Sequence, residues 1–383
     1  MLDKLPFDIF ESILQPDVDW NWDMLDGREA WGLAINLTDL ACLARTSKAL
    51  YHAANPFLYQ IFDTRAVMDR RLLRSLQNNP GLGTHVKWLA LAIEGLALVG
   101  TFSWEEDERF EHRLRCQKLY HNLKIAAYCP NVIHLGVFVA HRTVELMEFK
   151  DRPWVRLSED WPPASTFLFL PFLPTLQSME IAFPDQGAYT YFDFIEDGGM
   201  VINHQALAPL FLLTSDLRNL TLRYTPASHL PLESTWHHWS QLKSCHIILP
   251  DTHEKISKKY LLMGRNLSQF TASSLANVQR LFLQAPDYNA DDMSKFLECL
   301  CPNLLHLDLP WVKLTLEQWQ VVLNLMPALQ TITTSGKDFD GQAELVLKAI
   351  VMNKSSALRK IDLSYSNWMR SRLIVFTLTP LKF

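Results

Sequence analysis

A seven-residue phrase occurs twice in this chain, as Cys129-Pro130-Asn131-Val132-Ile133-His134-Leu135 and as Cys301-Pro302-Asn303-Leu304-Leu305-His306-Leu307. A looser frame surrounds both: apolar, two residues, apolar, one residue, apolar. It fits Val86/Leu89/Leu91, Val132/Leu135/Val137, Leu176/Met179/Ile181 and Leu217/Leu220/Leu222. It continues through Leu242/Cys245/Ile247, Val278/Leu281/Leu283, Leu304/Leu307/Leu309, Leu329/Ile332/Thr334 and Leu358/Ile361/Leu363. The nine copies start at 86, 132, 176, 217, 242, 278, 304, 329 and 358, so the intervals are 46, 44, 41, 25, 36, 26, 25 and 29 residues. The last two apolar residues of each copy stand two apart and share one face of a short strand. The first anchors the turn that leads into it. Such a unit buries its stripe only against its neighbours, so stability requires a stack of units.

The shorter intervals lie in or just above the range of ~20–29 residues found in leucine-rich repeats, and the longer ones carry insertions. Over about residues 80–370 the chain resembles divergent leucine-rich repeats, in which the phrase Cys-Pro-Asn-Leu commonly precedes the strand. The resemblance implies an α/β fold: a leucine-rich-repeat-like solenoid, a horseshoe of parallel strands. Helical spacing between strands appears over Ala290 to Leu300, Leu316 to Met326 and Gln342 to Val351, with Thr315 and Asp340 placed to cap two of these helices. Phe57 to Phe62 is expected as a first strand, followed by a helix from about Ala66 to Asn78. Leu373 to Leu378 is expected to close the sheet with an edge that needs cover. Thr101 to Lys124, Lys150 to Pro174 and Pro184 to Pro209 fit the frame badly and read as loops or excursions on the solenoid.

The N-terminal 60 residues have a different pattern. Leu5-Pro6 opens a stretch in which Ile9, Phe10, Ile13 and Leu14 share one helical face, and Pro16 ends it. A second apolar stripe contains Leu40, Leu43, Ala44 and Leu50, with Arg45 and Lys48 facing away. Asn55-Pro56 breaks the third helix, and Phe57, Leu58 and Tyr59 leave it extended. These three segments, in this order and with the turn Arg45-Thr46-Ser47-Lys48, resemble the F-box, a module to which such repeats are often attached. That resemblance implies docking to the Skp-type adaptor of a cullin-containing SCF ubiquitin ligase. The adaptor-binding residues it implies are Leu5, Pro6, Ile9, Ile13, Leu40, Leu43, Leu50 and Pro56, some of which must instead hold the helices together. The division is therefore an all-α F-box module at 1–60 and a repeat domain at 61–383. Periodicity alone also fits a helical cap on a larger domain. The insertion at 15–36 holds Asp17, Asp19, Asp23, Asp26, Glu29 and three tryptophans. It reads as a loop, or alternatively as a cover over part of the docking surface.

Charge and composition exclude several classes. Net charge is −5, and residues 1–60 carry nine acids against four bases, so the remainder balances at zero. No basic field of the kind that holds nucleic acid is expected. No apolar run reaches the ~18 residues that span a bilayer, so no membrane partner is expected. The N-terminus lacks the order of a signal peptide, and six scattered cysteines fit reduced thiols, which together indicate cytoplasm and/or nucleus. Gly-x-Gly-x-x-Gly, Walker and Gly-x-Ser-x-Gly patterns are missing. His237-His238 is adjacent rather than spaced i, i+4, and Cys299-x-Cys301 lacks the two-residue gap of a zinc or redox pair. Cys129, Cys245 and Cys301 read as small buried residues. No cofactor, no metal and no enzyme activity are expected.

The function expected from these features is that of a substrate-recognition adaptor, with one end docked to the ligase and the other holding an unknown protein substrate. The alternatives are an interaction scaffold acting outside a ligase and an enzyme with a loop-built site. Target contacts are expected on the inner face of the sheet, at Arg223, His246, Arg280, Phe282, Gln284, His306 and Asp308, with Trp311 at a strand's exit. Arg and aromatic side chains are the types enriched at binding hot spots. The aromatic insertion from Lys150 to Asp197 is the competing site.

Overall fold

The computed structural model describes residues 37–64, 70–94, 122–140, 170–182, 208–223, 233–249, 267, 270, 275–285, 290–300, 302–335, 339–353, 358–364 and 373–377. Its centre is one open sheet of eleven strands laid down in strict sequence order. The strands are β1 (Ile61–Asp63), β2 (Trp88–Glu94), β3 (His134–Ala140), β4 (Ser178–Ala182), β5 (Asn219–Arg223) and β6 (Ser244–Ile248). They continue with β7 (Arg280–Gln284), β8 (His306–Pro310), β9 (Thr331–Ser335), β10 (Lys360–Ser364) and β11 (Leu373–Thr377). β1 to β10 run parallel, and β11 pairs antiparallel with β10. The fold is a leucine-rich-repeat-like α/β solenoid.

The nine frame copies are the nine strands β2 to β10. Their second positions form one unbroken register ladder: Leu89, Leu135, Met179, Leu220, Cys245, Leu281, Leu307, Ile332 and Ile361. All nine are buried, as are all nine first positions from Val86 to Leu358. Burying an aliphatic side chain contributes roughly 1.5–3 kcal/mol, so this stripe dominates the stability of the stack.

A backbone rail accompanies the stripe. The Gln60 carbonyl accepts hydrogen bonds from the N–H groups of both Lys87 and Trp88, and the Lys87 carbonyl accepts from Ile133 and His134. The same two-donor pattern repeats at Ile133, Gln177, Arg218, Lys243, Gln279, Leu305 and Gln330, whose last donors are Arg359 and Lys360. Each unit's leading turn is thus fixed to the unit before it, whatever the length of the excursion between them.

The rail also shows that β1 is a tenth copy. Tyr59, Phe62 and Thr64 occupy the frame, and Phe62 pairs with Leu89. Its third position is threonine, like Thr334. Both hydroxyls are buried and donate to the neighbouring strand, Thr64 Oγ1 to the Ala90 carbonyl at 2.9 Å and Thr334 Oγ1 to the Leu309 carbonyl at 3.4 Å. The expected first strand at Phe57 to Phe62 is shorter and later, because the preceding helix persists through Leu58.

That helix, Lys48–Leu58, contains Pro56 rather than ending at it. Proline removes one i to i−4 bond. The helix is nearly over there, and the Tyr59 N–H still donates to the Asn55 carbonyl at 3.0 Å. Ser47 caps its start by accepting from the Leu50 N–H at 3.1 Å. With the helix Leu37–Ala44 it forms a small core of its own, Ala44, Leu50, Ala54 and Phe57, separate from the core of the solenoid.

On the opposite end, helices Ala290–Glu298, Leu316–Leu325 and Phe339–Met352 cover the stripe, as their spacing predicts. Thr315 caps the second, in a capping box with Gln318. The third starts at Phe339, so Asp340 lies within its first turn rather than capping it. The helix at Arg70–Asn78 and the closing strand at Leu373–Thr377 also match the sequence reading. Cys129 and Cys245 are fully buried, and burial pushes both thiols up to about 12. The three regions that fit the frame badly lie largely outside the described residues, as does Cys301.

Candidate functional site

Between the inward residues of each strand stand those of the other sheet face, and this face has two unlike halves. Over β2, β4 and β5 it is largely covered, while His134 and Phe138 of β3 are half-exposed and Asn219 at the start of β5 is exposed. Trp88, Ala90, Ser178, Glu180, Ala182, Thr221 and Arg223 are all buried, so β4 is buried along its whole length on both faces. Over β6 to β9 it is open, with His246, Phe282, Asp308 and Thr333 half-exposed in one register row.

The covered half holds Arg223. Sequence alternation places this side chain in solvent; the structure buries it, with an exposure of 8%. Its Nε donates to Glu180 Oε1 at 3.1 Å, and Glu180 is 0% exposed. Arg223 therefore serves the packing of β4 against β5 and leaves the set of residues able to meet a target directly.

Trp88 and His134 stack in the same half, with ring centroids 3.4 Å apart and planes inclined by 8°. Burial lowers the His134 pKa to about 4. The folded protein thus carries a neutral imidazole where the unfolded chain carries one of ordinary pKa. Its contribution to stability is intact above about pH 6.5 and is lost as pH falls from there towards 4. At pH 4.5 the loss is expected to be about 2 kcal/mol. Urea melts of the wild type and of His134→Gln across this range check it: the slope with pH should be shallower in the variant, and equal slopes would refute the assignment.

The open half brings together most of the residues expected there. His246 and Phe282 stack with centroids 5.3 Å apart. Arg280 is exposed and pairs in register with His306, as Phe282 does with Asp308. Gln284 stands half-exposed at the end of β7. His306 Nδ1 lies 2.6 Å from Thr331 Oγ1. Burial and the Arg280 guanidinium lower the His306 pKa, and the Asp308 carboxylate offsets them in part.

Trp311 follows directly on β8 and has a φ of 64°, the one non-glycine residue among the described ones in the left-handed region. That conformation costs a bulky side chain on the order of 1 kcal/mol. It holds a half-exposed indole at the exit of the strand, beside the open patch.

The residues expected to dock an adaptor divide similarly. Leu50 is buried in the module's own core and Leu43 packs against it, which assigns both to holding the helices together. Pro56 is half-exposed. Leu40 lies in the helix Leu37–Ala44. Leu5, Pro6, Ile9, Ile13 and the insertion at 15–36 lie outside the described residues, as does most of the rival aromatic insertion. His237 and His238 are exposed at the end of the helix Glu233–His238.

Sequence reasoning missed one group. The residue that follows the first frame position is Arg218 in the copy of β5, Lys243 in that of β6 and Arg359 in that of β10, all exposed. Reading this column down the aligned copies finds them, since the frame fixes their placement.

No model of a known protein family matches the chain, and no curated protein matches it in sequence. Among solved structures it is similar to the leucine-rich repeat-containing protein LegL7 from Legionella pneumophila, with 15% identity and a TM-score of 0.42 over 82% of this chain and 84% of that one. It is also similar to the complex of Rad7 and Elc1 in yeast, with 14% identity and a TM-score of 0.23 over 88% of this chain and 89% of that one. Likeness at these scores says nothing of what this chain binds. Among the described residues no helix is long and apolar enough to cross a membrane, and no group of three His, Cys, Asp or Glu residues could hold a metal ion.

Proposed function

We propose that the chain is the substrate-recognition adaptor of an SCF ubiquitin ligase, with residues 1–58 docking a Skp-type adaptor and through it the cullin. The open face of β6 to β9 would hold the target protein. The observation that carries this reading is the junction. A helical pair with its own core ends at Leu58, and β1 begins at Ile61, so only two residues separate docking module from solenoid. One of them, Gln60, is already the first acceptor of the backbone rail. The two ends are therefore held at a set spacing, which suits a protein that acts by proximity. The chain would supply no chemistry of its own.

Deleting residues 1–58 leaves Tyr59 and Gln60 to start the solenoid. Co-purification of a Skp-type adaptor and a cullin with the tagged chain is expected to be lost. Their unchanged recovery with the shortened chain would sink the ligase reading, whereas adaptor binding without ubiquitylation of any captured target would favour a scaffold.

A further inference from the structure

The cations missed by the sequence reading lie on one rail. The leading rim of β5 to β10 carries the residue pairs Arg218/Asn219, Lys243/Ser244, Gln279/Arg280, Leu305/His306, Gln330/Thr331 and Arg359/Lys360. Within each unit both N–H groups donate to one carbonyl of the unit before, so these pairs stand in a fixed row. Arg218, Lys243, Arg280, Arg359 and Lys360 are exposed, and none of the twelve residues is an acid. Among the described residues Arg218, Lys243, Arg280 and Arg359 form no ion pair with an acid. The nearest acids in sequence are Asp216 before the rim, Asp308 within β8 and Asp362 within β10.

The row is collected from positions as far apart as Arg218 and Arg359, 141 residues, in a chain whose net charge is −5. Its span from Arg218 to Arg359 is five strand intervals, on the order of 24 Å at ~4.8 Å each. An extended peptide covers that length with roughly seven residues. The aromatic pair of His246 and Phe282 lies beside the row on the open side of the sheet, and Trp311 stands at the opposite end of β8.

We infer that the target segment is an acidic, extended peptide lying across the strands along this rim, its carboxylates facing Lys243, Arg280 and Arg359. The inference rests on the open face being the target-binding surface and adds the chemistry of what is bound. Arg218 and Lys243 would set preference for negative charge at one end, Arg359 at the other. Between them His306 and Thr331 offer uncharged hydrogen-bonding groups.

The test uses the full chain and a fluorescein-labelled eight-residue peptide of alternating glutamate and glycine. A lysine–glycine peptide and a single-stranded RNA of eight nucleotides are the comparison probes. The glutamate peptide should bind, more weakly as salt screens the row, and Lys243→Gln/Arg280→Gln should weaken it by about tenfold. The reversed variant Lys243→Glu/Arg280→Glu should prefer the lysine peptide. All four substitutions are at exposed positions, and unchanged melting verifies the fold. Equal binding of the two peptides, glutamate-peptide binding unaltered in the Gln variant, or tighter binding of the RNA each overturns the inference. If the glutamate peptide fails while Arg280→Ala/Phe282→Ala still abolishes target capture, the surface stands and the acidic ligand falls. Recovery of adaptor and cullin with each variant tests the ligase reading separately.

Discussion

Leu307→Asp is expected to unfold the C-terminal half of the solenoid or to prevent its folding. Leu307 is 0% exposed and sits in the register ladder between Leu281 and Ile332. The substitution removes the transfer energy of a buried leucine, about 2–5 kcal/mol in such sites. It also puts a carboxylate among the buried apolar side chains of the core, which adds several kcal/mol more. Together these are comparable with the ~5–15 kcal/mol by which folded domains are stable. Because each unit leans only on its neighbours, damage at β8 should separate β1 to β7 from β9 to β11. Limited proteolysis should then cut on either side of β8, and urea melts should lose cooperativity. Asp308→Leu, one residue on but on the open face, is the control and should melt like the wild type. A soluble Leu307→Asp protein with a normal melt would mean that the stripe does not carry the fold.

Removing the guanidinium of Arg223 should cost on the order of 3 kcal/mol, far more than changing an exposed arginine such as Arg280. Arg223→Met takes away the group that donates to Glu180 at 3.1 Å while leaving that carboxylate fully buried. Losing one partner of a buried pair is expensive because the other charge keeps its desolvation penalty. The double variant Glu180→Leu/Arg223→Met should recover most of the loss, since two apolar side chains of similar volume need no pairing. A double-mutant cycle by urea denaturation reads the coupling directly. If Arg223→Met melts like Arg280→Ala, the covered half of the sheet is not packed as described.

The contrast between these two sites marks the boundary of what the amino-acid order carries. The inward stripe was legible because the frame is local. Two apolar residues two apart define a strand face on their own, and the stacked architecture follows from the units' inability to bury that face alone. In β1 the frame is harder to see, because Tyr59 and Thr64 take two of its aliphatic positions and the Thr64 hydroxyl is satisfied by the carbonyl of Ala90 on the neighbouring strand. The other face was only half legible. Alternation assigns Arg223 and Arg280 alike to the side away from the core, and nothing in the spacing says whether something covers that side. Tertiary structure decided it. Glu180 lies 43 residues from Arg223 in sequence, and only the pairing of β4 with β5 makes them partners. The same holds for the cationic rim, where each charge is unremarkable in its own turn and becomes part of a row when the backbone rail aligns the turns. Sequence determined the period, the parallel stack and the inward face, because these are set by neighbours along the chain. Which outward residues are buried, paired or gathered into one surface was settled by contacts between distant segments, whose energies depend on what packs above the sheet rather than on the strand itself.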